Sequence, residues 1–118
     1  MDAQRTPLQE EKSRLLQRLA EIEIQEQRHR GTFNTVPHYS VLEQVAHGLG
    51  QELSRVTQQR AAGEVAASSP SESACPQCGR TCRIEMSKRT VNSLDGPIEV
   101  LEPEAYCPAC RRSFFPSA

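Results

Sequence analysis

The chain has 118 residues, of which 36% are hydrophobic and 4% aromatic, with no Trp. That leaves too little apolar material for a large core, so any part shorter than about 50 residues needs a metal or disulfide staple. A formal net charge of -1 excludes, at the level of composition, a strongly basic nucleic-acid binder, and any DNA contact has to come from local clustering of cations.

Thr6-Pro7-Leu8-Gln9 predicts a helix start: Thr6 caps an orphan N–H, Pro7 is tolerated in the first turn, and Gln9 completes a capping box. Leu8, Leu15, Leu19 and Ile22 then form one apolar stripe. Arg28, His29 and Arg30 suit the negative end of the helix dipole, and Gly31 supplies the stop. A second capping box at Ser40-Val41-Leu42-Glu43 opens a helix that Leu42, Val45, Ala46, Leu49, Leu53 and Val56 continue to about Ala62. Gly48 and Gly50 inside it each cost about 1 kcal/mol relative to Ala and mark a close contact or a kink.

Two such helices pair as a hairpin but leave apolar surface uncovered, which predicts a coiled-coil-like association with a second copy or a partner protein. Residues 63–74, GEVAASSPSESA, are small and polar and are expected to form a flexible linker. After it the period changes to two. Thr90, Val91 and Leu94 precede Asp95-Gly96, and Ile98, Val100 and Leu101 follow it, predicting a β-hairpin whose loop exceeds two residues because Pro97 limits pairing. The expected organisation is α+β: a helical hairpin over 1–62, the linker, and a small ribbon over 75–118.

The ribbon carries the chemistry. Cys75-Pro76-Gln77-Cys78-Gly79 and Cys107-Pro108-Ala109-Cys110 are near-copies of one knuckle, each able to turn two thiolates toward a single point. Zn2+ suits four thiolates, accepting tetrahedral geometry at about 2.3 Å without redox chemistry. Gly79 permits the turn after the first pair, and nearby amides can donate to the sulfurs. Cys82 is the fifth cysteine, read as a small buried hydrophobe rather than a replacement ligand. An odd number of cysteines argues against a disulfide framework, as does the expected cytoplasmic location. No apolar run reaches the roughly 18 residues of a membrane span, and MDAQRTPLQEEK lacks the form of a signal peptide, so no membrane partner is expected.

A closed four-Cys site has no open coordination position and cannot activate water. Glu21, Glu23, Glu26, Glu43 and Glu52 show no paired arrangement beside a nucleophile, and His29, His38 and His47 lack ligand spacing, so neither a catalytic site nor a small-molecule substrate is expected. Arg80, Arg83, Lys88, Arg89, Arg111 and Arg112 flank the knuckles and are the candidate DNA contacts. Four thiolates around one Zn2+ carry a net charge of about -2, which the same cations would also offset. Phe114 and Phe115 are placed either to stack on bases or to close the core under the metal.

The segment from Cys75 to Pro116 resembles the N-terminal zinc ribbon of bacterial insertion-sequence transposases of the ISKra type. The likeness rests on the first knuckle, Arg89-Thr90-Val91, Leu94-Asp95-Gly96-Pro97, Tyr106 before the second knuckle, and Phe114-Phe115-Pro116. PHYSVLEQVAHGLGQEL is similar to the helical stretch upstream in such proteins. The resemblance implies a role in DNA end recognition or assembly, with the helices meeting a second copy or a transposase partner. It also implies an RNase H-like catalytic domain that these 118 residues do not include, so the expectation is a truncated reading frame, a fragment or one component of a split element, which itself neither cuts nor joins DNA. A protein-interaction adaptor is the alternative, and a single iron held as in rubredoxins is a third possibility.

Overall fold

A computed structural model describes residues 4–116, which leaves the last two positions of the expected ribbon outside the described residues. Two helices, α1 (Pro7–His29) and α2 (Tyr39–Ala67), precede four strands: β1 (Glu72–Ala74), β2 (Thr81–Ser93), β3 (Gly96–Cys107) and β4 (Arg112–Phe114). The strands form one antiparallel sheet in the order β1-β2-β3-β4. The architecture is therefore α+β, a helical hairpin followed by a small β domain. Among the described residues, no helix is long and apolar enough to cross a membrane. The chain divides into two units, Met1–Gly50 and Gln51–Ala118, and the division falls inside α2.

Unit 1 follows its sequence signals closely. The Thr6 hydroxyl accepts from the Gln9 amide at 3.2 Å and the Gln9 side chain accepts from the Thr6 amide at 2.8 Å, so two orphan donors are satisfied reciprocally. Gly31, at φ 84°, takes the left-handed conformation beyond the end of α1. No residue of α1 is buried: Leu19 is half-buried, while Leu8, Leu15 and Ile22 stay exposed.

The second helix departs from expectation at both ends. It starts at Tyr39, which places Ser40 inside the first turn, and it runs past Ala62 to Ala67. Residues 63–67 of the expected linker are helical, and Glu72–Ala74 is a strand, so only residues 68–71 connect the two elements. The helix continues because Ala61, Ala62, Ala66 and Ala67 are strong helix formers that outweigh one Gly. A Cβ added at Gly48 or Gly50 would meet nothing within 4 Å, so neither glycine serves a close contact. Gly48→Ala is accordingly expected to stabilise α2 by up to about 1 kcal/mol, read as a rise in the helical melting midpoint by circular dichroism.

In unit 2 the hairpin of β2 and β3 is long, at 13 and 12 residues. Its register pairs Ser93 with Gly96, leaving Leu94-Asp95 as a two-residue loop, shorter than Pro97 suggested. Pro97 is accommodated because β3 has no strand on its other side at that level, so no ladder donor is lost there. The positive φ is carried by Gly96 (111°) and not by the loop residues, which rules out a type I′ turn. The Ser93 hydroxyl staples the loop, donating to the Gly96 carbonyl at 2.6 Å and accepting from the Asp95 amide at 3.3 Å.

The two faces of this hairpin are used differently. Ile98 and Val100 are buried on one face, whereas Leu101 at the same level and Met86, opposite Pro103 nearer the base, are exposed on the other. The second half of α2 is tied to the tip of this hairpin. Its Ser54 hydroxyl donates to the Asp95 carboxylate, Arg55 donates to the Asp95 carbonyl at 2.8 Å, and the Arg55 side chain lies against Gly96. Beyond the helix, the Ser71 carbonyl accepts from the Ile84 amide and β1 pairs with β2. The helix is thus fastened at the tip and at the base of the hairpin, with Ala66 only 2% exposed between them.

Candidate metal centre

At the base of the hairpin the register places Ile84 opposite Ala105, on the sheet face away from Ile98 and Val100. Here Cys75, Cys82, Ile84, Ala105 and Cys107 form a small buried cluster, with Cys110 and Phe114 packed against it. Five buried side chains are far fewer than a self-sufficient core contains, so the cluster requires a staple.

That staple is available in the knuckles. In the first, the Gly79 amide donates to the Cys75 carbonyl at 2.9 Å and the Cys75 amide donates to the Arg80 carbonyl at 2.8 Å, closing a tight loop. Gly79 sits at φ 74°, as the turn demands. The second knuckle makes the same turn with Arg111, at φ 55°, the only non-Gly residue with positive φ among those described. A left-handed conformation costs a non-Gly residue about 1 kcal/mol, so Arg111→Gly is expected to raise the thermal midpoint and Gly79→Ala to lower it. Matched thermal melts of the two variants check both signs.

The four sulfurs of Cys75, Cys78, Cys107 and Cys110 all lie within 4.8 Å of one another. Cys75 and Cys110 are 3.8 Å apart, and Cys78 and Cys107 3.6 Å. A tetrahedron with metal–sulfur bonds of about 2.3 Å has edges of about 3.8 Å, which these separations match. They are much longer than the roughly 2.05 Å of a disulfide, and all five cysteines are free thiols. This quartet can hold a metal ion. Among the described residues it is the group of His, Cys and carboxylate side chains capable of doing so; His29, His38 and His47 are exposed and separate.

The local electrostatics fit a cation. The amides of Cys78 and Gln77 donate to the Cys75 sulfur and hold that thiol below its ordinary range. The Cys110 amide does the same for Cys107, aided by Ala109, bringing it down to about 6. Hydrogen bonding to Cys78 and Cys75 pushes Cys110 up to about 12, because the sulfurs compete for negative charge in a small space. A divalent cation held by Cys75, Cys78, Cys107 and Cys110 would relieve that competition and let all four become thiolates. Cys82 lies beside Cys107 but outside the quartet: burial raises its pKa, and its thiol donates to the Arg80 carbonyl at 3.4 Å.

The chain matches no family model, no curated protein and no solved structure.

The six candidate cations are all exposed but do not share one surface. Arg80 and Arg111 each follow a knuckle, and Arg112 opens β4 opposite Cys107. Arg83 lies near them on β2, paired with Glu72 of β1. Lys88 and Arg89 lie farther up the hairpin, about 20 Å of strand beyond Cys82, and as neighbours on a strand they point to opposite faces. Arg89 is also engaged at 2.7 Å by Glu102. The sequence places these residues beside the first knuckle because it cannot show that β2 runs straight on from it. The two phenylalanines divide as well: Phe114 packs on the cysteine cluster, while Phe115 is 62% exposed.

Proposed function

We propose that this chain is a non-enzymatic, zinc-dependent DNA-binding and assembly module related to the front part of an insertion-sequence transposase. Its closed four-thiolate zinc site fixes the ribbon, whose knuckle end meets the phosphate backbone. The observation that carries the proposal is the sulfur quartet, because four protein ligands complete a tetrahedral shell and leave no position for substrate or water. Zinc is the ion this donor set favours in a role without redox chemistry. The DNA half is supported by exposed Arg80, Arg111 and Arg112 around that end, and by the likeness of residues 75–116 to transposase ribbons.

The test is fluorescence anisotropy with labelled duplexes, including element-end sequences, over a series of salt concentrations. Arg80→Ala and Arg112→Ala are each expected to weaken binding across all sequences and to reduce the salt slope by about one. A zinc-loaded protein with no salt-sensitive binding removes the DNA half. The second reading, a protein-interaction adaptor, then stands, favoured by the near-neutral charge and by the exposed Leu8, Leu15 and Ile22 of α1.

A further inference from the structure

We infer that α1 is a self-pairing surface, and that its occupant is the α1 of a second copy running antiparallel. The inference rests on the assembly half of the function proposed above, and it is independent of zinc and of DNA.

Two lines of side chains at seven-residue spacing run side by side along this helix. Leu8, Leu15 and Ile22 make one, and Lys12, Leu19 and Glu26 make the other, four residues on. A seven-residue step returns a helix to within about 20° of the same direction, so the lines form one continuous seam. In the single chain the seam is largely uncovered: Leu8 is 77%, Leu15 55% and Ile22 37% exposed, and Leu19 is only half-buried. At 23 residues the helix is about 35 Å long, enough for three layers of contact.

Charge selects the partner and its direction. Along the second line the seam reads cation, leucine, anion. A parallel copy would set Lys12 against Lys12 and Glu26 against Glu26 at seam positions, where like charges are most costly. An antiparallel copy centred near Leu19 instead brings each Lys12 within reach of the other copy's Glu26, twice by symmetry. It also gathers Leu15, Leu19 and Ile22 from both copies into an apolar centre. The same reversal sets the acidic first turn, with Glu10, against the basic last turn, with Arg28 and His29. Among the described residues, neither Lys12 nor Glu26 makes an ion pair within its own chain, so both are available to a second copy. The two are 14 residues apart on one helix, too far to meet each other.

The test is the molar mass of the full chain by size-exclusion chromatography with light scattering, at tens of micromolar protein. The expected mass is twice the 13.2 kDa of one chain, unchanged when zinc is chelated. Leu15→Glu is expected to give a monomer. Lys12→Glu and Glu26→Lys are each expected to raise the dimer dissociation constant by roughly tenfold, and the double exchange in one chain is expected to restore it. All three positions are exposed, so helical content by circular dichroism should not change. A monomeric native chain, a dimer indifferent to Leu15→Glu, or a double exchange that fails to rescue would each overturn the inference. Loss of DNA binding with the dimer intact would count only against the DNA half of the proposed function.

Discussion

Cys107→Ser is expected to abolish stoichiometric zinc binding and to unfold the sheet, with loss of β structure by circular dichroism and of amide protection across β2 and β3. Cys107 is fully buried and is shared between the sulfur quartet and the apolar cluster formed with Ile84, Ala105 and Phe114. Structural zinc contributes about 10–16 kcal/mol in small zinc-folded peptides, which exceeds the whole stability of a domain this size. The cluster left behind cannot replace it. Helix α1, stabilised by its own capping box, is expected to keep its helical signal. Cys82→Ser is the matched control, since Cys82 is equally buried but outside the quartet. It is expected to cost about 1–2 kcal/mol for a buried polar replacement while zinc remains bound one per chain. Equal effects from the two substitutions would mean that Cys107 acts as a packing residue and not as a ligand.

The second large effect concerns how α2 and the hairpin hold each other. Ile98 is 4% exposed and Val100 8% exposed on one face of the hairpin to which α2 is tied, whereas Leu101, one residue on, is 40% exposed on the other face. Ile98→Ala is therefore expected to destabilise the zinc-loaded protein by about 2–4 kcal/mol, and Leu101→Ala by about 0.5 kcal/mol or less. Thermal melts of the two variants under identical zinc concentrations measure the contrast. Comparable losses would imply that the strand register is shifted by one, which would exchange the two faces.

These contrasts mark where residue patterns are informative and where they stop. The Thr6 and Gln9 capping box was legible because all its partners lie within four residues, and the structure forms both of its hydrogen bonds. The paired knuckles were legible for the same reason: each Cys-x-x-Cys unit is local, and only their meeting requires the hairpin. The fastening of Ser54 and Arg55 to Asp95 was not legible, because it joins residues about 40 positions apart and leaves no periodic trace. Without it, residues 63–74 read as a linker from composition alone. The loop length was missed because Pro97 signals trouble for a paired strand, while the structure places it where β3 is an edge. The left-handed Arg111 is invisible in sequence, although the alignment of the two knuckles, Gly79 with Arg111, is the signal by which it can be found.

The measurement that bears most directly on the four-cysteine centre is metal content of the purified full chain by mass spectrometry, with thiol titration before and after chelation. One zinc per chain is expected, with one cysteine, Cys82, outside the metal site, and chelation should release the metal, expose all five thiols and unfold the sheet together. A sheet that stays folded without any metal, or a chain that carries iron in place of zinc, would contradict a structural zinc at Cys75, Cys78, Cys107 and Cys110.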